Sequence, residues 1–241
     1  NSATLSHHAL TIEYSSNPAW LAVQALPYLM EYPYECAEQT FNRYYATAIA
    51  AHIIRQSPKI KAVFDQWKNE TSASSLTSSL AKNETLKSAL LEETPWVLEA
   101  KDETEQRKNI AQLFDTYKLA MELKSAQHKL KELQLPNGAF GWFKGMYEDR
   151  YITQYIVAGI GRLQQLGVTS ALNDVQDDIV DKALPYLDGV MKQQYDELIR
   201  NKAKMTEQHI FQNEAMYLYL RSFFDGEMPY KKVYEYYLKQ A

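Results

Sequence analysis

The sequence predicts a predominantly α-helical fold, and three observations carry that prediction. From Asn17 onward, apolar residues recur at three- and four-residue spacing, the period of helices with one buried face. Gly and Pro number only 8 each, too few for the many tight turns of an all-β chain. The hydrophobic fraction of 46% fills a sizeable core and argues against disorder. The 18 tyrosines suit half-buried helix faces, with the ring inside and the hydroxyl at the wet edge.

One stretch departs from the helical pattern. Residues 9–14, Ala-Leu-Thr-Ile-Glu-Tyr, alternate apolar and polar and read as a β-strand. A lone strand ahead of a helical body suggests that residues 1–16 are strand and linker from an adjacent β domain. The helical domain then spans 17–241. The chain opens at Asn1 and closes at Ala241 inside a helical pattern. It therefore reads as a piece of a larger protein, truncated at its C-terminus, with targeting information elsewhere.

Pro18 sits near the first helix start, and Trp20 to Met30 are mostly apolar. Tyr32-Pro33-Tyr34 breaks that helix. A long helix follows from about Cys36 to Gln56. Ala46, Ala48, Ala50 and Ala51 favour it and permit close packing. Ser57-Pro58 supplies an N-cap and a first-turn proline for the next helix. Residues 69–88 turn polar and read as a solvated insertion. From Thr104 to Leu133 the helical period returns, with Ile110, Leu113, Phe114, Tyr117 and Met121 on one stripe.

Pro136-Asn137-Gly138 is a turn, and Gly138-Ala-Phe-Gly-Trp-Phe143 is a glycine-punctuated aromatic loop. Ile152, Ile156, Ile160 and Leu163 mark a helix that Gly167 closes. Asn173 caps a long helix toward Leu198, with Pro185 as a candidate bend. Thr206 is positioned to cap a helix running to Phe224. Asp225-Gly226 ends it, and Pro229 opens the last one. The pattern amounts to about nine or ten helices with short, antiparallel connections. Glycine–aromatic loops between long paired helices suit an α/α toroid, in which inner and outer helices alternate around a ring. A plain helical solenoid is the alternative.

The net charge of −4 offers no basic footprint for nucleic acid. The apolar runs are too short to span a bilayer. Cys36 is the single cysteine, so no disulfide forms within the chain.

The chemically informative string is Tyr32-Pro33-Tyr34-Glu35-Cys36-Ala37-Glu38-Gln39-Thr40. Cys36 falls where a helix begins, and free N–H groups and the helix dipole there favour negative charge on sulfur. Gln39 lies three residues on, on the same face of a helical turn. The sulfur can then reach the Gln39 side-chain carbonyl carbon. Loss of ammonia joins the two as a thioester, in a ring of about 15 atoms. Such an acyl group persists only in a dry pocket, and Tyr32, Tyr34 and Phe41 are local candidates for its wall. A bare Cys-x-x-Gln would instead read as a core thiol beside a surface amide.

The longer string resembles the thioester motif of alpha-2-macroglobulins and complement thioester proteins, Gly-Cys-x-Glu-Gln. It is most similar to the bacterial form, Tyr-Pro-Tyr-Gly-Cys-x-Glu-Gln, matching at Tyr32, Pro33, Tyr34, Cys36, Glu38 and Gln39. Glu35 stands where that form has Gly, which bears on the local turn geometry. Asn17-Pro-Ala-Trp20 through Leu26-Pro-Tyr-Leu29 resembles the segment ahead of the motif. Gly138 to Phe143, with Tyr151-Ile-Thr-Gln-Tyr155, looks like the later glycine–aromatic loop and helix start. The polar insertion and Tyr219-Leu-Arg-Ser-Phe-Phe224 are similar to a Bacteroidetes-type branch.

The resemblance implies an α/α toroid, a terpenoid-cyclase-like helical barrel, packed between β-sandwich domains of the same protein. It implies a broad-spectrum endopeptidase inhibitor and not an enzyme. A protease cuts a bait region elsewhere, the protein rearranges, and the Cys36–Gln39 thioester acylates the attacker once. No cofactor or metal is implied beyond that autocatalytically formed bond. The partners are target proteases and the neighbouring β-sandwich domains, with no nucleic acid. The implied location is the bacterial cell envelope, periplasmic or lipid-anchored, with any membrane anchor outside this chain. In a bacterial chain the sequons Asn69-Glu70-Thr71 and Asn83-Glu84-Thr85 carry no glycan.

Some relatives of that family use a downstream histidine for acyl transfer. His52 is 16 residues beyond Cys36, roughly 24 Å along a continuous helix, which is too far. His209, in the first turn of the helix read from Thr206, is a weak candidate; a capping or surface histidine is the plainer reading. His7, His8 and His128 belong to no constellation, and no cluster has metal-ligand spacing. Without a histidine, amines are the favoured acceptors. Two rival classes stand beside the trap. One is a toroid-fold enzyme, either a Cys36 hydrolase or a glycosidase using Glu35 and Glu38. The other is a passive helical scaffold.

Overall fold

The fold comes from a computed structural model. It describes residues 35–56, 116–168, 173–224, 226 and 228–241, together with 26, 29, 30, 59, 61, 62, 65 and 66. Among these residues the fold is all-α. Six continuous helices are present: α1 Ala37–Gln56, α2 Thr116–Leu133, α3 Arg150–Gln165, α4 Asn173–Arg200, α5 Gln212–Arg221 and α6 Lys231–Leu238. Several expectations lie outside the described residues. They are the strand at 9–14, the helix start at Pro18, the break at Tyr32-Pro33-Tyr34, the Ser57-Pro58 cap, the polar insertion with its sequons, Ile110, Leu113 and Phe114 on the stripe, and the stop at Asp225.

The chain divides into two compact units, Asn1–Tyr32 with Ala50–Met121, and Pro33–Ile49 with Glu122–Ala241. The described residues of the first unit are helical; Leu26 and Met30 are buried, and Lys61 pairs with Asp65 at 2.6 Å. The second unit contains the Cys36 turn.

The core of the second unit grows from two faces of α3. Ile152, Ile156, Ile160 and Leu163 are fully buried among Phe41, Tyr44, Leu123, Leu130 and Phe140. Val157 and Ala158 enter a second cluster with Leu187, Met191, Leu220 and Tyr237. A helix buried on both faces reads apolar nearly all round, as α3 does. Its ends are well closed. Asp149 caps the start by accepting the Ile152 N–H at 3.0 Å. Gly167, at φ +67, closes the end, with Gly167 N–H donating to the Gln164 carbonyl and Val168 N–H to the Leu163 carbonyl. That pair of bonds is the Schellman arrangement, which a glycine at this position makes cheap.

Two helices depart from expectation. In α2 the buried row is Leu119, Leu123, Ala126 and Leu130, whereas Tyr117 and Met121 are exposed. The helix faces the core with positions i, i+4, i+7 and i+11, one row away from the stripe read in sequence. Thr206 does not cap a helix. The α5 helix starts at Gln212, with Phe211 at its N-cap. Glu214 sets that start by accepting the Phe211 N–H at 3.0 Å, while its other oxygen meets Arg150 at 3.0 Å. A buried ion pair to α3 thus overrides the local capping preference of Thr206. Pro185 lies inside α4 without ending it. It is exposed, so the carbonyl it leaves unbonded can face water.

Two buried polar groups join α3, α4 and α5. Arg150 binds Glu214 and also approaches Gln154 Oε1 at 3.2 Å and Met191 Sδ at 2.9 Å. Asp188 on α4 accepts the Tyr217 hydroxyl at 2.6 Å and Arg221 Nη2 at 3.1 Å. Burial pushes the Asp188 carboxyl up, and Tyr217 and Arg221 oppose that shift.

Tyr237 on α6 gives a pH test of this packing. Burial, and next the charge of Glu214, push its phenol up to about 12. An unfolded tyrosine ionises near pH ~10. Above that pH the unfolded chain has lost a proton that the folded chain retains, so stability falls as pH rises through the window. Urea midpoints should decline between pH ~9 and ~11.5, and Tyr237→Phe should flatten part of that decline while changing little at neutral pH. An identical alkaline decline in the variant would place the titrating groups elsewhere.

Candidate functional site

Cys36 sits at the N-cap of α1 and is buried. Its carbonyl accepts the Thr40 N–H at 2.9 Å, the first bond of the helix. Its sulfur accepts the backbone N–H of Gln39 at 3.4 Å. The thiol therefore takes the place that a serine or aspartate oxygen usually fills, and one of the orphan N–H groups is satisfied by sulfur. This bond closes the first turn of α1 through the Gln39 backbone and does not involve the Gln39 side chain. Gln39 itself is half-buried.

The turn is held from the glycine–aromatic loop. Ala37 N–H donates to the Trp142 carbonyl at 2.8 Å. Trp142 is fixed in turn, because its indole Nε1 donates to Asp149 Oδ2 at 3.0 Å. Asp149 N–H donates to the Phe140 carbonyl at 2.8 Å, and Phe140 N–H donates to Thr153 Oγ1 at 2.9 Å. The α3 N-cap residue thus organises the loop that seats the Cys36 turn. Sequence reading missed this role of Asp149. The signal was present as an Asp directly before an apolar helical run.

Two glycines allow the loop its shape. Gly138 has φ +88, and a Cβ there would lie 1.9 Å from the Lys182 carbonyl oxygen on α4. A Cβ on Gly141 would lie 2.6 Å from the Tyr147 carbonyl oxygen. Gln134 Nε2 ties the same region down by donating to the Gly138 and Ile179 carbonyls, each at 2.9 Å.

The remaining candidate residues are placed as follows. Phe41 is 2% exposed and packs in the core cluster that includes Ala37. Its ring lies 5.7 Å from that of Tyr155, edge to face, and about as near those of Tyr44 and Tyr45. Tyr155 donates its hydroxyl to Asn42 Oδ1 at 2.6 Å. Burial, and then the Glu38 charge, raise the Tyr155 phenol above its ordinary range. Glu35 is exposed and pairs with Lys129 of α2, which holds its carboxyl below the ordinary range. Tyr32, Pro33 and Tyr34 lie outside the described residues.

His209 is not in a helix. It lies between α4 and α5, where its Nδ1 is 2.5 Å from the Tyr236 hydroxyl and its N–H donates to Gln240 Oε1 at 2.7 Å. Its placement in the first turn of a helix is corrected by the later start of α5. These contacts attach it to the C-terminal helix region and give it no partner at the Cys36 turn. His128 is exposed, 3.4 Å from Glu132. Among the described residues no group of three or more His, Cys, Asp or Glu is arranged to hold a metal, and no helix is long and apolar enough to cross a membrane. Comparison with family models, curated proteins and solved structures finds no match to this chain.

Proposed function

We propose that this chain is the thioester domain of a bacterial alpha-2-macroglobulin-type endopeptidase inhibitor. The observation that carries the reading is the Tyr32–Thr40 string with Cys36 at a helix N-cap, its sulfur bonded to the N–H of Gln39. In that reading Cys36 Sγ attacks the Gln39 side-chain carbonyl carbon and ammonia leaves. The thioester then waits as a single-use acyl donor. A protease that cuts the bait region elsewhere in the protein exposes it, and a protease amine attacks the Gln39 carbonyl carbon. The Cys36 thiolate leaves, and the attacker remains bound through Gln39. The α/α toroid, the flanking β-sandwich domains and the envelope location belong to the same reading.

The test is intact mass of the full-length protein purified without amines. The peptide spanning Cys36 and Gln39 is expected to be lighter than its encoded mass by about 17 Da, one ammonia. A peptide at the encoded mass, with Cys36 alkylated only after denaturation, would favour a core thiol and a passive scaffold.

A further inference from the structure

The peptide between Cys36 and Ala37 is held at both of its polar ends. Its carbonyl, on Cys36, accepts the Thr40 N–H at 2.9 Å, and its N–H, on Ala37, donates to the Trp142 carbonyl at 2.8 Å. Bonds on both sides restrain the plane of a peptide, and with it the direction of the Cys36 Cα–Cβ bond. The χ1 torsion is then left to place the sulfur, in one of its staggered wells. The bond that Cys36 Sγ accepts from the Gln39 N–H, at 3.4 Å, marks the well that lays it over the first turn of α1. The nitrogen it meets shares its Cα with the side chain that has to react. The Gln39 carboxamide then has to approach a stationary sulfur by rotation about its own side-chain bonds.

The Thr40 bond belongs to α1 itself, but the Trp142 bond comes from outside the helix and needs a support of its own. Trp142 stands beside the exposed loop tip of Phe143, Met146 and Tyr147. Its indole N–H is bonded to Asp149 Oδ2 at 3.0 Å, while Asp149 Oδ1 caps α3 at the Ile152 N–H. Helix α3 is buried on two faces, so the relay runs from a firmly packed element to the reacting turn. We propose that Trp142 and Asp149 are positioning residues for closure of the thioester, holding the Cys36–Ala37 peptide so that the sulfur stays over the turn that carries Gln39. This inference rests on the thioester reading above. The step they serve is balanced. Cys36 Sγ bonds to the Gln39 side-chain carbonyl carbon, the carbon–nitrogen bond breaks, and nitrogen leaves as ammonia with the thiol proton. Trp142 and Asp149 act through the Ala37 N–H and not on the reacting atoms. Closure within one turn is an intramolecular reaction, and displacing one partner by about 1 Å can slow such a step about 100-fold.

The experiment uses the full-length protein as wild type, Trp142→Phe, Asp149→Asn, the double variant and Val233→Ala. Trp142→Phe keeps the ring and the α3 cap but removes the indole donor. Asp149→Asn cannot accept from the indole and cap α3 at once. Val233 lies in the second core cluster, so its variant loosens the fold away from Cys36. Protein is pulse-labelled during synthesis, and the mass deficit at Cys36–Gln39 is followed through a chase, with a urea midpoint for each variant. Both single variants are expected to close about tenfold more slowly or worse. The double variant should be no slower than the slower single, because the two residues act in one relay. Val233→Ala should close at the wild-type rate. The proposal is overturned if either single variant closes at the wild-type rate. It is equally overturned if the two effects multiply in the double variant. A slowing of Val233→Ala that tracks its urea midpoint as the others do would also overturn it, since closure would then report stability alone. A wild-type protein that never acquires the deficit removes the thioester reading itself, and the proposal with it.

Discussion

Methylamine treatment of the full-length protein is expected to leave an N-methyl amide at Gln39 and release a free thiol at Cys36. An ordinary glutamine amide is inert to such an amine, whereas a thioester reacts readily. The modified peptide should be about 14 Da heavier than its encoded mass. Gln39→Ala removes the acyl carbon, so amine treatment should leave thiol labelling of Cys36 unchanged. Cys36→Ala removes the sulfur, and Gln39 should then take up no methylamine. The same variant is expected to abolish the high-mass adduct between the protein and an activating protease on a denaturing gel. Equal adduct from wild type and Cys36→Ala would take Cys36 out of the mechanism. On the proposed reading, non-covalent enclosure of the protease does not use the Cys36–Gln39 bond and is expected to survive in both variants.

The largest stability effect is expected from the buried group on α4 and α5. The Asp188 and Arg221 side chains are only 5% and 3% exposed. Asp188→Ala leaves the Arg221 guanidinium buried without its carboxylate and Tyr217 without its acceptor. Breaking one side of such a pair costs about 3–5 kcal/mol, to be read from urea unfolding. Replacing both charged members with apolar residues of similar volume should restore most of that loss, because the desolvation cost then disappears for both. A single variant that unfolds within about 1 kcal/mol of wild type would show that Arg221 is compensated without Asp188.

The helical class was legible because period, alanine content and end signals agree with one another at α1 and α3. The Gly167 stop and the Pro136-Asn137-Gly138 turn were legible for the same reason, since each is written in a residue type that few other conformations favour. The start of α5 was not legible. It depends on Glu214 meeting Arg150 across the fold, and no local pattern announces a tertiary ion pair. The buried face of α2 was misjudged because Tyr and Met on a neighbouring row looked equally apolar in sequence. At the candidate site, sequence marked Cys36 and Gln39 by type and spacing. It did not show that the supports come from Trp142 and Asp149, more than a hundred positions downstream.

The Phe41 ring rests where α3 has no side chain. A Cβ on Gly159 would come within 2.3 Å of that ring. One helical turn along α3 in either direction the positions are Tyr155 and Leu163, which carry bulky side chains. The glycine therefore works as a notch, and the aromatic ring as the tooth engaged in it. Helix α1 cannot ratchet along α3 by a turn without lifting the ring out. Any rearrangement that uncovers Cys36 and Gln39 has to peel away what surrounds the start of α1, while its axial register against α3 stays locked.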